Sequence, residues 1–248
     1  MRVVHLVLSN AFAGIEQHVD ELLSNKLNDK PILICNDSIA DCFDKSISIY
    51  KIKNIGRRSL YGKYKLKKLL NKINPDIVHT HGSKTSSIIS SINNNRFKHV
   101  ATVHGIKKNK KVYEKADFII GVSQKTIDGL KNNVAVVTNW WNPSLNKFDH
   151  KKNEYALAIG RLEKVKGFDL LINSWANINT KLVIIGSGKE KNTLINMINT
   201  KGLNEKIRII DNVQKNELIS YYRNAKLLII SSRDEGGPRV ALEALYLE

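Results

Sequence analysis

The sequence predicts an α/β protein of two Rossmann-like, doubly wound domains, the second of them incomplete. Short apolar runs alternate with helix-period segments along the chain, the pattern of parallel sheets covered on both faces. Runs such as Ile77-Val78 and Phe118-Ile119-Ile120 are apolar at consecutive positions, as strands buried on both faces are. Between residues 139 and 153 the rhythm breaks at Trp140, Trp141, Asn142, Pro143 and a lysine-rich tail. These observations predict a first domain over 1–139, a linker over 140–153 and a second domain over 154–248.

The opening run Val3-Val4-His5-Leu6-Val7-Leu8 predicts a buried first strand. It is too short for a signal peptide's apolar region and lacks a small-residue cleavage site. Further strands are expected at 31–35, 48–52, 76–80, 99–103, 118–122 and 134–138, with helices over 15–27, 60–73, 84–93 and 124–131. The second domain continues with strands at 155–159, 181–185, 208–210 and 227–230. Helices are expected over 168–175, 190–200 and 215–224, and one more begins near Pro238, where proline suits the first helical position. Four strands are fewer than a doubly wound sheet usually carries, and Tyr246-Leu247-Glu248 fall inside a helix. The second domain is therefore expected to be truncated.

With 248 residues and 42% hydrophobic content the chain can bury two cores of ordinary size. Cys35 and Cys42 have no partner cluster and read as free thiols of a cytoplasmic protein rather than a disulfide or metal site. No apolar stretch approaches transmembrane length. A formal net charge of +17 has three readings: drift in a chain rich in Lys, Asn and Ile, attraction to an anionic membrane surface, or nucleic-acid binding. Nucleic acid ranks last, because no basic stripe with interleaved aromatics and no binding motif is present.

Glu235 and Glu243 stand eight positions apart across a glycine-rich turn that contains Gly236 and Gly237. Both acids are expected at the carboxyl end of a sheet, where open α/β sheets bind ligands. The stretch Gly160-Arg161-Leu162-Glu163-Lys164-Val165-Lys166-Gly167-Phe168 gives a second strand–loop–helix entry with two cations, Arg161 and Lys166. Val78-His79-Thr80-His81-Gly82 and Thr102-Val103-His104-Gly105 place histidines just past buried strands. Asp, Glu and Cys partners at ligand spacing are absent there, so no metal and no cofactor is expected. Gly14, in Ala13-Gly14-Ile15-Glu16, opens a helix and suits close approach of a ligand to its N–H groups.

Two basic segments stand out. Over 57–73, Leu60, Tyr64, Leu66, Leu69, Leu70 and Ile73 can form one apolar stripe among lysines. That helix either packs on its sheet with a solvated face, the favoured reading, or lies on an anionic membrane. Lys107-Lys108-Asn109-Lys110-Lys111, after His104, is placed to attract an anionic acceptor.

Taken together, the 160–171 entry, Leu182-Val183-Ile184-Ile185-Gly186-Ser187-Gly188, Gly202-Leu203, Glu217-Leu218-Ile219-Ser220-Tyr221-Tyr222 and the Glu-x7-Glu pair resemble the GT4-type retaining glycosyltransferases of GT-B fold. With the first half included, the likeness covers nearly the whole chain. It implies an acceptor-side first domain and a nucleotide-sugar-binding second domain, the latter apparently truncated at its C-terminus. It implies that Arg161 and Lys166 meet the donor diphosphate, that Glu235 faces the sugar and reacting centre, and that Gly236 and Gly237 lie near the sugar or phosphate. Glu243 would bond the ribose hydroxyls. His104 would orient the donor sugar, Gly14 would line an acceptor or sugar loop, and His81 is either its neighbour there or a satisfied structural histidine. Two positions depart from the family's pattern: Ala13 replaces the first of a glycine pair, and Gly237 replaces a bulky residue.

The implied activity is transfer of a hexose-type sugar from a nucleotide diphosphate-sugar to a glycan or lipid-linked acceptor with retention, in surface polysaccharide synthesis. Such a protein would be cytoplasmic, or peripheral on the inner face of the cell membrane. The rival readings are an inactive truncated fragment, a GT-B nucleotide-sugar epimerase and a basic nucleic-acid-binding module. The Gly-Arg-x4-Lys-Gly frame argues against the epimerase.

Overall fold

The computed structural model describes residues 1–24, 31–92, 95–131, 133–139, 154–213 and 215–247. It divides into two units, Met1–Trp141 and Asn142–Glu248. The predicted linker over 140–153 lies outside the described residues.

The first unit is a seven-stranded sheet in the order β3-β2-β1-β4-β5-β6-β7. Its strands are β1 (Val3–Val7), β2 (Ile32–Asn36), β3 (Ser48–Ile52), β4 (Ile77–His81), β5 (Lys98–Val103), β6 (Phe118–Gly121) and β7 (Val134–Val136). Every pairing is parallel. The chain winds outward from β1 to β3, then returns to β4 beside β1. The β1/β4 pair is therefore the topological switch point, where such sheets open toward ligands.

Alternation along β1 sorts its side chains. Val4, Leu6 and Leu8 join Leu66, Leu70, Ile88 and Ile89, contributed by α2 (Leu60–Ile73) and α3 (Ser83–Ile92). Val7 packs instead with Val19 and Leu23 of α1 (Gly14–Ser24). His5 shares the Val7 side by the two-residue period of a strand.

Helix α2 begins where predicted, because the Ser59 hydroxyl accepts the Gly62 N–H at 3.1 Å. It ends at Asn74, left-handed at φ 51°, whose N–H reaches the Leu70 carbonyl. Its apolar stripe is narrower than predicted. Leu66, Leu70 and Ile73 are buried, whereas Leu60 is 82% and Tyr64 65% exposed. At about 100° per residue the latter two fall on the opposite side of the helix. Gly62 lies on the buried side, where a Cβ would meet the Ile55 side chain at 2.6 Å.

One further prediction needs correction in the first unit, and one element was not foreseen. Helix α4 covers only Gln124–Ile127, because Asp128 turns to φ −52°, ψ 131°. A 3-10 helix at Asp37–Cys42, capped by the Asn36 side chain, had no periodic signal.

The second unit holds four parallel strands in the order β10-β9-β8-β11 among the described residues. These are β8 (Tyr155–Ile159), β9 (Lys181–Ile185), β10 (Ile207–Ile210) and β11 (Ala225–Leu228). On one face Ala156, Ala158, Leu182 and Ile184 pack with Phe168 and Ile172 of α5 (Phe168–Ser174) and Leu194 and Ile198 of α6 (Lys191–Thr200). On the other, Leu157 and Ile185 meet Tyr222 of α7 (Lys215–Asn224) and Leu247 of α8 (Arg239–Leu247). Full burial of each large aliphatic contributes about 1.5–3 kcal/mol. Strand β11 starts at Ala225, ahead of the predicted 227–230, because α7 runs straight into it and its register shifts between Ala225 and Leu227. Among the described residues no helix is long and apolar enough to cross a membrane.

Candidate functional site

In the second unit β8 and β11 are parallel neighbours, so the loops that follow them leave the same edge of the sheet. Backbone contacts stitch those loops together. The Ser231 hydroxyl donates to the Lys166 carbonyl at 2.9 Å, and the Arg233 N–H donates to the Val165 carbonyl at 2.8 Å. The Arg233 guanidinium also donates to the Lys164 carbonyl and forks onto both Asp169 oxygens, each at 2.7 Å. That fork holds the Asp169 carboxyl below its ordinary range. Gly167 makes the close approach feasible. It is left-handed at φ 66°, and a Cβ there would collide with the Ser231 carbonyl.

The product of this stitching is one ion pair. The Lys166 ammonium donates to both Glu235 oxygens, at 3.0 and 2.8 Å, with the side chains 21% and 25% exposed. An ammonium has three N–H donors, so one is left for a further anion. Partial burial raises the desolvation cost of both charges and strengthens their mutual attraction. Arg161 lies elsewhere on the same loop, exposed and donating to Glu163 at 2.9 Å. Glu243, on α8, accepts the Tyr222 phenol at 2.7 Å. Burial and that carboxylate push the Tyr222 phenol well above its usual range. Gly236 is buried and Gly237 partly so, between Glu235 and α8.

Thus Lys166 and Glu235 meet, whereas Arg161 and Glu243 have other partners. Asp169, Ser231, Arg233 and Tyr222 were missed, because each acts through a contact no local spacing reveals.

The first unit carries the other candidates. Gly14 opens α1, exposed, and beside it the buried Glu16 carboxylate accepts the Ala13 N–H at 2.9 Å and the Ser9 hydroxyl. His81 is 4% exposed and sits between two imidazoles. Its Nε2 lies 3.1 Å from His5 Nδ1, and its Nδ1 lies 3.1 Å from His104 Nε2. His79 stacks on His81 at 4.4 Å between ring centroids, and its Nε2 contacts the Thr102 hydroxyl at 2.7 Å. His18, from α1, meets the His104 ring edge-on at 4.8 Å.

Burial holds His79 and His81 well below the ordinary histidine range and lowers His5 to about 4. These imidazoles are neutral at physiological pH, so each keeps one ring nitrogen whose lone pair can accept a hydrogen bond or ligate. His81 and His104, singled out by sequence, are therefore joined. His5 and His18 were missed, since one hides in an apolar strand and the other on a helix face. The Lys107–Lys111 run is partly structural, because Lys110 donates to the Lys125 and Asp128 carbonyls at the end of α4.

Two parallel doubly wound units, each with ligand-capable side chains at or near the carboxyl edge of its sheet, define the GT-B class of glycosyltransferase fold. The family model described as Glycosyltransferase Family 4 matches residues 13–140, and that of Glycosyl transferases group 1 matches 144–248. The chain belongs to this glycosyltransferase family.

It is 25% identical over 257 aligned positions to the uncharacterized glycosyltransferase MJ1178 of Methanocaldococcus jannaschii, covering 94% of this chain and 72% of that one. It is 37% identical over 107 residues to the amylovoran biosynthesis glycosyltransferase AmsD of Erwinia amylovora, a match spanning 41% of this chain and 30% of AmsD. Among solved structures, Anabaena HepE with UDP and glucose superposes with a TM-score of 0.79 at 16% identity, over 100% of this chain and 78% of HepE.

Proposed function

We propose that the chain transfers a hexose-type sugar from a nucleotide diphosphate-sugar to a glycan or lipid-linked acceptor, with retention of configuration, in surface polysaccharide synthesis. The second unit takes the donor and the first the acceptor. Lys166 and Arg161 stabilise the leaving diphosphate, and Glu235, with Gly236 and Gly237, faces the sugar. Glu243 bonds the ribose hydroxyls, His104 orients the sugar, and Gly14 and His81 serve the acceptor or sugar loop. No step is routed through a metal.

The observation that carries this reading is the Lys166–Glu235 pair, held by two stitched loops at the carboxyl edge of a parallel sheet. A departing diphosphate gains negative charge, and a fixed ammonium with a spare donor stabilises it without reorganising. Arg161 is exposed and, among the described residues, pairs with nearby Glu163, so its planar fork can turn to the same phosphates. The name of AmsD supports the polysaccharide role. Exposed Leu60, Tyr61 and Tyr64 on a lysine-rich helix, with a net charge of +17, support attachment to the inner face of an anionic membrane.

Calorimetric titration with UDP and GDP tests the donor site. We expect one nucleotide to bind, with Lys166→Ala weakening it about 10- to 100-fold, as befits a charge-assisted hydrogen bond, and Glu243→Ala weakening it as well. Undiminished binding in Lys166→Ala would refute the assignment. The anomeric configuration of the product, read by NMR, tests retention.

A further inference from the structure

The imidazole cluster of the first unit exceeds what the proposed transfer requires. Five histidines from four places converge there: His5 on β1, His18 on α1, His79 and His81 on β4, and His104 after β5. The strand register sets His5 directly beside His79, and His81 follows two residues on, on the same face. Helix α1 covers that face and brings His18. No metal site was expected at 79, 81 and 104, because Asp, Glu and Cys at ligand spacing are absent there. The structure assembles imidazoles instead.

We propose that His18, His81 and His104 form a binding site for one late first-row divalent cation of the zinc class. Their ligand-capable nitrogens all lie within 4.8 Å of one another. Metal–nitrogen distances of about 2.0–2.1 Å in a tetrahedral site place two ligand nitrogens about 3.3 Å apart. His81 Nδ1 and His104 Nε2 are 3.1 Å apart, which already meets that spacing. The His18 nitrogen lies within 4.8 Å of the other two, so it must approach by up to roughly 1.5 Å to reach that spacing. Three imidazoles and an open fourth position suit zinc, cobalt and nickel rather than oxygen-seeking magnesium or calcium.

His5 completes the arrangement. With His81 Nε2–H donating to His5 Nδ1 at 3.1 Å, His81 Nδ1 keeps its lone pair on the side facing His104. Ligand histidines are commonly held by such an outer hydrogen bond. His104 then needs only its Nδ1–H tautomer to turn Nε2 toward the cation, and no proton leaves the site. Two of the ligands, His18 and His81, are 4% exposed, while half-buried His104 provides the way in. The inference does not depend on the donor assignment in the second unit, but it replaces the sugar-facing roles of His81 and His104: with the cation bound, His81 Nδ1 and His104 Nε2 ligate it instead of meeting the sugar.

The test uses the full chain, stripped with chelator and titrated with Zn2+ by calorimetry and with Co2+ by visible absorption. We expect one equivalent of each, with the d–d bands of a four-coordinate cobalt. His18→Ala and His104→Ala should each weaken Zn2+ on the order of 100-fold or more, and His5→Gln by about 10-fold. His99→Gln, a buried histidine outside the ligand set, should bind as the parent does. Circular dichroism of each metal-free variant separates lost ligation from lost folding; half-buried His104 gives the variant that disturbs packing least. Absence of saturable one-to-one binding would overturn the proposal. So would equal Zn2+ affinity in folded His104→Ala, or cobalt bands typical of octahedral water.

Discussion

Replacing Gly167 by alanine tests whether the stitched loops depend on a residue without a side chain. The substitution acts twice. A non-glycine residue at φ 66° costs about 1–2 kcal/mol. The new Cβ also falls 3.0 Å from the Ser231 carbonyl carbon and much closer to its oxygen, so Ser231 must retreat by more than about 1 Å to reach ordinary contact. That movement loosens the Ser231–Lys166 and Arg233–Val165 hydrogen bonds, worth about 1 kcal/mol each. The sum is about 3–4 kcal/mol against the second unit. Urea unfolding can follow Trp175, whose indole N–H donates to the Thr180 carbonyl, in a background carrying Trp140→Phe and Trp141→Phe. Gly160→Ala is the control, because nothing lies closer than 3.5 Å to its Cβ, and it should stay within about 0.5 kcal/mol. Nucleotide affinity should fall with stability in Gly167→Ala. Unfolding within 0.5 kcal/mol of the parent would refute the account of how these loops are held.

Two other perturbations address buried polar groups. Burial lowers the His99 pKa from 6.5 to about 4, so the unfolded chain binds a proton there that the folded chain refuses. Its stabilisation is complete above about pH 6.5 and is lost as pH falls toward 4. At 1.36 kcal/mol per pH unit this amounts to roughly 3 kcal/mol, and the urea midpoint of His99→Gln should fall less over that window. An identical pH dependence in the variant would contradict this origin. Tyr222→Phe keeps a buried ring and removes only the 2.7 Å bond to Glu243. It should cost about 1.5–3 kcal/mol in urea unfolding, and a shift under 0.5 kcal/mol would mean that the bond does not hold α8 to α7.

Strand positions were legible because parallel strands buried on both faces need consecutive apolar residues, as in Leu33-Ile34-Cys35 of β2; Phe118, read from the sequence as buried on both faces with Ile119 and Ile120, is instead 40% exposed. Helix α2 was legible at both ends because Ser59 and Asn74 are capping residues. Its buried face was misjudged, since Leu60 and Tyr64 look apolar in sequence yet point away from the sheet. At the carboxyl edge of the second unit's sheet, Lys166 and Glu235 could be named from motif, but nothing in the sequence says that they touch. The Arg233–Asp169 fork illustrates the limit: its partners are 64 residues apart and belong to no shared pattern. The histidine cluster was half visible for the same reason, because its assembly follows from β1/β4 register rather than from any spacing along the chain.

The separation of 69 residues between Lys166 and Glu235 also sets an order of events in folding. Between them in the chain lie α5, β9, α6, β10, α7 and β11. Closing so long a loop is entropically costly and comes late, after the local β8–α5–β9 contacts have formed. An intermediate with β8, β9 and β10 paired but β11 undocked would have a packed core on one face and no Lys166–Glu235 pair. Acquisition of nucleotide binding during refolding should therefore trail the gain of helical signal, and would serve as a clock for the docking of β11.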